Sequence, residues 1–160
     1  MTELMLSLMV FIILCFSAAA LGSVFTHRSI KTWYPTIKKP SWNPPGKVFA
    51  PVWTVLYLMK AVAGWMVWER LPQKGFSVPM VLFFIQLVLN AIWSVVFFGL
   101  RSPGWAFLEV ILLCVIIELT MINFWGVYWV AGVLFLTYLL WVSFAAFLNF
   151  TVWRLNRVRS

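Results

Sequence analysis

Val78–Leu100 reads VPMVLFFIQLVLNAIWSVVFFGL, 23 residues without one charged side chain. A helix rises about 1.5 Å per residue and a bilayer's hydrocarbon core is about 30 Å thick, so ~20 mostly apolar residues suffice to cross it. Four other stretches meet the same requirement: Leu4–Phe25, Pro51–Trp68, Gly104–Phe124 and Val127–Trp153. Breakers separate them, namely the long loop 26–50, Leu71-Pro72-Gln73-Lys74-Gly75, Arg101-Ser102-Pro103-Gly104, and a tight turn within Asn123–Tyr128. Pro51 suits a helix start, where its missing N–H would be unpaired anyway. The expectation is an all-α membrane protein, a five-helix transmembrane bundle forming one domain over residues 1–160. The first loop carries Lys39-Pro40-Ser41-Trp42-Asn43-Pro44-Pro45-Gly46. Its prolines fix φ and remove donors, so it reads as a stiff lid rather than a slack connector.

Composition agrees with a membrane. The chain is 64% hydrophobic and only 10% charged, against about 25% charged in soluble domains. Its net charge is +8 and it has no aspartate. The basic residues lie in loops and at the C-terminus, so anionic headgroups explain them and a nucleic-acid partner is not implied. Nine of them (Arg28, Lys31, Lys38, Lys39, Lys47, Arg101, Arg154, Arg157, Arg159) fall on one side of the spans, and only Arg70 and Lys74 on the other. The positive-inside rule then puts the long loop and the C-terminus in the cytoplasm and the N-terminus outside. A bacterial inner or outer membrane or a mitochondrial outer membrane would fit, with a bacterial one favoured. Ala18-Ala19-Ala20 resembles a cleavage site, but the segment before it carries Glu3 and no Lys or Arg, so the first span reads as retained. Ala18 and Gly22 form a small-xxx-small packing pair. Cys15 and Cys114 lie in apolar runs and read as small hydrophobes. With one histidine, His27, neither a metal centre nor a catalytic site is expected.

Ionisable residues inside spans are costly and mark functional candidates. Lys60, Glu109 and Glu118 are such residues. Counted from the same end, the depths of Lys60 and Glu109 differ by only ~5 Å at the helical rise, which suggests an intramembrane ion pair. A proton path through all three is the alternative. Three helices also carry aromatic-plus-polar stripes at helical spacing: Trp53, Tyr57, Lys60, Gly64 and Trp68; Gln86, Asn90, Trp93 and Phe97; and Tyr138, Trp141, Ala145 and Asn149. Facing lipid, the amides would have no partner, so the stripes should converge inward. They read either as interhelical glue or as a pocket walled by π-faces, with Ala145 leaving room.

Lys39-Pro40-Ser41-Trp42-Asn43-Pro44-Pro45 followed by Pro51-Val52-Trp53-Thr54-Val55-Leu56-Tyr57 resembles the first-loop and second-helix pattern of the TspO/MBR (translocator protein, tryptophan-rich sensory protein, peripheral-type benzodiazepine receptor) family. Gln86–Ser94 with Phe97-Phe98-Gly99, Tyr138–Trp141, and Leu148-Asn149 with Trp153–Asn156 agree in order, across nearly the whole chain. The resemblance implies a membrane receptor, sensor or carrier, commonly a homodimer, whose loop covers a cavity for porphyrins such as protoporphyrin IX and haem. Sterols and isoquinoline-type drugs are ligands it implies for some members. By position, Tyr34, Trp53, Asn90, Trp93, Trp141 and Ala145 match the family's ligand cavity. Trp42 from the loop and Tyr57 and Tyr138 from the stripes complete the candidate binding set. One departure concerns sterols: the motif at the end of the last span needs a tyrosine where this chain has Phe150-Thr151. No obligatory cofactor is implied. Two further readings stay open: light- and oxygen-dependent porphyrin breakdown through pocket tryptophans, and proton-coupled transport.

Overall fold

The computed structural model of the protein describes residues 2–157; Arg159, counted above for orientation, lies outside them. The described chain is helical, with elements α1 (Thr2–Thr32), a 3-10 turn (Tyr34–Thr36), α2 (Gly46–Arg70), α3 (Val78–Ser94) continued by a π-helical turn (Val95–Gly99), α4 (Pro103–Val127) and α5 (Trp129–Asn156). Five of these helices are long and apolar enough to span a membrane.

The spans expected from hydropathy are all present, and their ends shift for local reasons. α1 continues seven residues past Phe25, carrying His27, Arg28 and Lys31 beyond the apolar stretch. Ser29 anchors this extension by donating its hydroxyl to Phe98 O at 2.5 Å. α2 begins at Gly46, so Pro51 lies inside it rather than at its start. The loop is therefore shorter than expected, spanning positions 33–45. The turn expected within Asn123–Tyr128 narrows to Tyr128 alone, in extended conformation at φ −155°. α4 and α5 then fold into a close hairpin: a Cβ on Gly132 would lie within 2.9 Å of Trp125.

α1 packs on α2 and α3, α3 on α4, and α4 most extensively on α5, while α5 closes the bundle against α2. Lipid tails are as apolar as leucine, so close packing and interhelical hydrogen bonds hold such a bundle together. The Ala18–Gly22 pair packs α1: Gly22 is buried, and a Cβ there would meet the Ser94 hydroxyl oxygen at 3.0 Å. Deeper in, Phe83 stacks on Phe124 at 6.0 Å and meets Phe11 edge-on at 5.6 Å, and Phe124 meets Phe135 at 4.8 Å. A second, smaller core lies under the loop and contains Phe97, Phe98, Ala106, Leu148 and Val152.

The π turn arises where Leu100 N–H reaches back five residues to Val95 O at 2.8 Å. The extra residue in the turn rotates the end of the helix, so Phe97 and Phe98 are both buried. Trp33 and Tyr34 rest on these two rings, at 5.7 and 5.9 Å.

Candidate functional site

The loop lies folded on the basic end of the bundle. Asn156, at the end of α5, clamps it with both halves of its amide. Its Nδ2 donates to Lys38 O at 2.9 Å, and its Oδ1 accepts from Lys38 N–H at 3.0 Å. Inside the loop, Lys39 Nζ donates to Tyr34 O and Ile37 O and sits 4.7 Å over the Tyr34 ring. The Tyr34 hydroxyl donates to Asn43 Oδ1 at 3.3 Å. Burial pushes the Tyr34 hydroxyl above its ordinary pKa, so it stays a donor at neutral pH. Trp42 reaches down to α5, stacking on Phe147 at 5.3 Å and touching Phe144 at 6.0 Å. Phe144 in turn meets Trp141 at 5.5 Å, and Phe49 of α2 closes on the other side of Trp141 at 6.1 Å. A chain of rings thus runs from the loop to Trp141.

Below Trp141, one helical turn away on α5, is Tyr138. It is fully buried, and its hydroxyl accepts from Asn90 Nδ2 of α3 at 2.7 Å. Lys60 of α2 comes in from the other side. Its Nζ lies 3.8 Å from the centre of the Tyr57 ring and 4.4 Å from that of Tyr138. Lys60 is 1% exposed, and its ammonium has no hydrogen-bond partner among the described residues. The indole N–H of Trp141 is likewise buried without a partner. Trp53 flanks Tyr57 at 6.0 Å. Trp93 donates its Nε1 to Asn149 Oδ1 at 3.0 Å, and Asn149 Nδ2 donates to Pro103 O at 2.7 Å. That relay ties α3, α5 and the start of α4 together.

At mid-depth the stripes bring Tyr57, Lys60, Asn90 and Tyr138 together, with Trp141 one turn nearer the loop. Away from it they are packing: a Cβ on Gly64 would lie 2.8 Å from Phe83, Trp68 sits 6.2 Å from Phe11, and Gln86 Nε2 donates to Phe83 O of its own helix. Asn149 and Trp93 serve the glue reading directly, because each has its partner. Ala145 is half-buried one turn above Trp141.

The Lys60–Glu109 ion pair is not formed. Both Glu109 carboxylate oxygens are buried and without partners, and the one ion pair among the described residues joins Lys74 to Glu69 at 3.0 Å. Equal depth favours the pair, but α2 faces α1 and α5 and barely touches α4. Glu118 is exposed on the outer surface of the single chain. Depth along a helix says nothing of the direction a side chain takes around it. The cage around Lys60 is the feature that sequence reasoning misses, although Tyr57 at i−3 carries half of the signal.

Two open hollows lie at opposite ends of the bundle, and none of the nine candidate binding residues lines either. A groove of about 770 Å³ lies outside the second core, between the loop, the start of α4 and the end of α5. A smaller hollow of about 430 Å³ lies at the opposite end, beside Glu69 and Lys74.

The sequence model of the TspO/MBR family matches residues 11–154. A tryptophan-rich protein TspO of Chlorobaculum tepidum is 42% identical over 98% of this chain and 99% of its own length. Protein CrtK of Rhodobacter capsulatus is 35% identical over 92% of this chain and 91% of its own. The human translocator protein is 38% identical over 84% of this chain and 81% of its own. With five membrane-spanning helices, a loop folded on one end and a match over most of its length, the chain is an integral, multi-pass membrane protein that belongs to the TspO/MBR family.

Proposed function

We propose that the chain is a receptor, sensor or carrier that binds tetrapyrroles, protoporphyrin IX and haem foremost, between the loop and helices α2, α3 and α5. The observation that carries this reading is the pair of unsatisfied donors among aromatic faces, Lys60 Nζ and Trp141 Nε1. A buried polar group without a partner costs about 1–3 kcal/mol, more when it is charged. A ligand carrying an acceptor relieves that cost. A flat conjugated molecule with carboxylates matches both parts of the site: π-faces for its rings and a cation for its acid. The basic loop, with Lys38 and Lys39, and Lys47 at the start of α2 would draw such an acid toward this end.

Titrating the purified protein in detergent with protoporphyrin IX, haem, a sterol and an isoquinoline, followed by tryptophan fluorescence, tests the reading. Saturable quenching by the tetrapyrroles is expected; its absence, with sterol saturating instead, overturns it. Light-driven breakdown is the second reading, favoured by the unpartnered Trp141 indole. Illumination with bound protoporphyrin would then bleach the porphyrin spectrum in the parent and not in Trp141→Phe. A proton-coupled path gains no such support, because no hydrogen bond or ion pair links Lys60, Glu109 and Glu118 among the described residues. Glu118, exposed on α4, would be costly against lipid. That supports a homodimer in which a second copy covers it.

A further inference from the structure

The groove outside the second core has its own chemistry. Its floor is Trp153, whose Nε1 would sit 2.9 Å from a Cβ at Gly104, so glycine there lets the indole lie flat against the start of α4. Trp33 of the loop and Trp105 and Leu108 of α4 form its walls. Trp105 is 71% exposed and Leu108 59% exposed. The exposed face of α4 continues past them through Ile111, Leu112 and Val115, so the groove opens onto an apolar track running down the membrane side of the helix.

The rim is basic. Arg157 holds its guanidinium 5.5 Å over the Trp153 ring. Arg101 lies across the groove, exposed, and its guanidinium makes no hydrogen bond or ion pair with the described residues. Its backbone is at φ 54°, in the left-handed region, and no other described non-glycine residue has a positive φ. Glycine or asparagine would hold that conformation with less strain. Two interactions fix the turn around it: Leu100 N–H to Val95 O and Ser102 N–H to Val96 O. The π turn therefore sets where Arg101 emerges. Among the described residues, none that lines the groove is acidic.

The geometry points to a binding site for an anionic phospholipid in this groove, with the phosphate between Arg101 and Arg157 and one acyl chain on Trp153, Trp105 and Leu108. A basic rim and an apolar track leading from it into the membrane match the charged headgroup and the apolar tail of a lipid molecule. A soluble anion would use the rim and leave the track empty. The inference is independent of tetrapyrrole binding, because none of the nine candidate binding residues lines the groove.

Native mass spectrometry of the full chain in detergent, with phosphatidylglycerol and phosphatidylcholine of identical acyl chains in equal amount, tests it. A preference for phosphatidylglycerol is expected, falling about fivefold when one arginine is lost, the usual contribution of a single basic residue to anionic-lipid attraction. Arg101→Gln should show that fall, and Lys74→Gln at the opposite end should not. Arg101→Gly separates folding from binding: it relieves the backbone strain, so it should melt no lower than the parent and still lose the preference. Trp105→Ala should weaken both lipids alike. Equal binding of the two lipids by the parent, an undiminished preference in Arg101→Gly, or displacement of the lipid by excess inorganic phosphate would each overturn the proposal.

Discussion

Lys60 concentrates the question at the scale of single residues. An ammonium between two tyrosine faces gains cation–π attraction, about 2 kcal/mol or more when desolvated, yet it has no acceptor. Replacing it with an apolar side chain of similar length removes a buried charge and keeps the packing. Lys60→Met is therefore expected to melt no lower than the parent, since replacing a buried charge by a packed apolar group is often neutral or stabilising. The same variant should bind protoporphyrin roughly tenfold more weakly, the ~1.4 kcal/mol of one charge-assisted contact. Fluorescence quenching and a thermal melt on one preparation would check both, and unchanged affinity would remove Lys60 from the site. Trp93 gives the opposite pattern: Trp93→Phe keeps the ring but loses the bond to Asn149, and should cost about 1 kcal/mol of stability. That Lys60 is unusual can be read in the sequence, because a lysine in an apolar span is expensive anywhere. Its surroundings cannot, since they depend on how α2 and α5 are rotated against each other.

The loop and the π turn belong to the scale of elements. Four prolines make the loop's stiffness legible, and its position on the bundle follows from one side chain: Asn156 holds Lys38 by both halves of its amide. Asn156→Ala should leave the helices intact and loosen the loop. Limited trypsin digestion after Lys38 would then run faster than in the parent, and an unchanged rate would show that Trp42 and Tyr34 hold the loop without the clamp. Helix contacts are tight in the opposite half of the bundle. Gly64→Ala would drive a methyl to 2.8 Å from the Phe83 ring and 2.9 Å from Phe11. The expected cost is about 1–3 kcal/mol, the usual range for overpacking, read as a lower melting temperature. The π turn has no signature in Val95–Gly99, where neither proline nor a polar side chain marks a break. Only tertiary packing of Trp33 and Tyr34 on Phe97 and Phe98 reveals why the register changes there.

At the scale of the whole molecule, the five spans are legible because hydrocarbon thickness imposes a length and hydrophobicity that few other folds share. Which polar residues meet is much less so. A stripe at helical spacing states that residues share a face, and the structure assigns that face to glue at Gly64 and Asn149 and to unsatisfied donors at Lys60 and Trp141. The central claim is that the tetrapyrrole enters the region between the loop and helices α2, α3 and α5, and not the groove beside Arg101. One titration separates the two places: protoporphyrin IX binding to the parent, Ala145→Leu and Arg101→Gln, under identical detergent conditions. Ala145→Leu, which adds bulk one turn above Trp141, is predicted to weaken binding at least about tenfold, ~1.4 kcal/mol, while Arg101→Gln binds like the parent. Loss of binding in Arg101→Gln with full affinity in Ala145→Leu would contradict the claim.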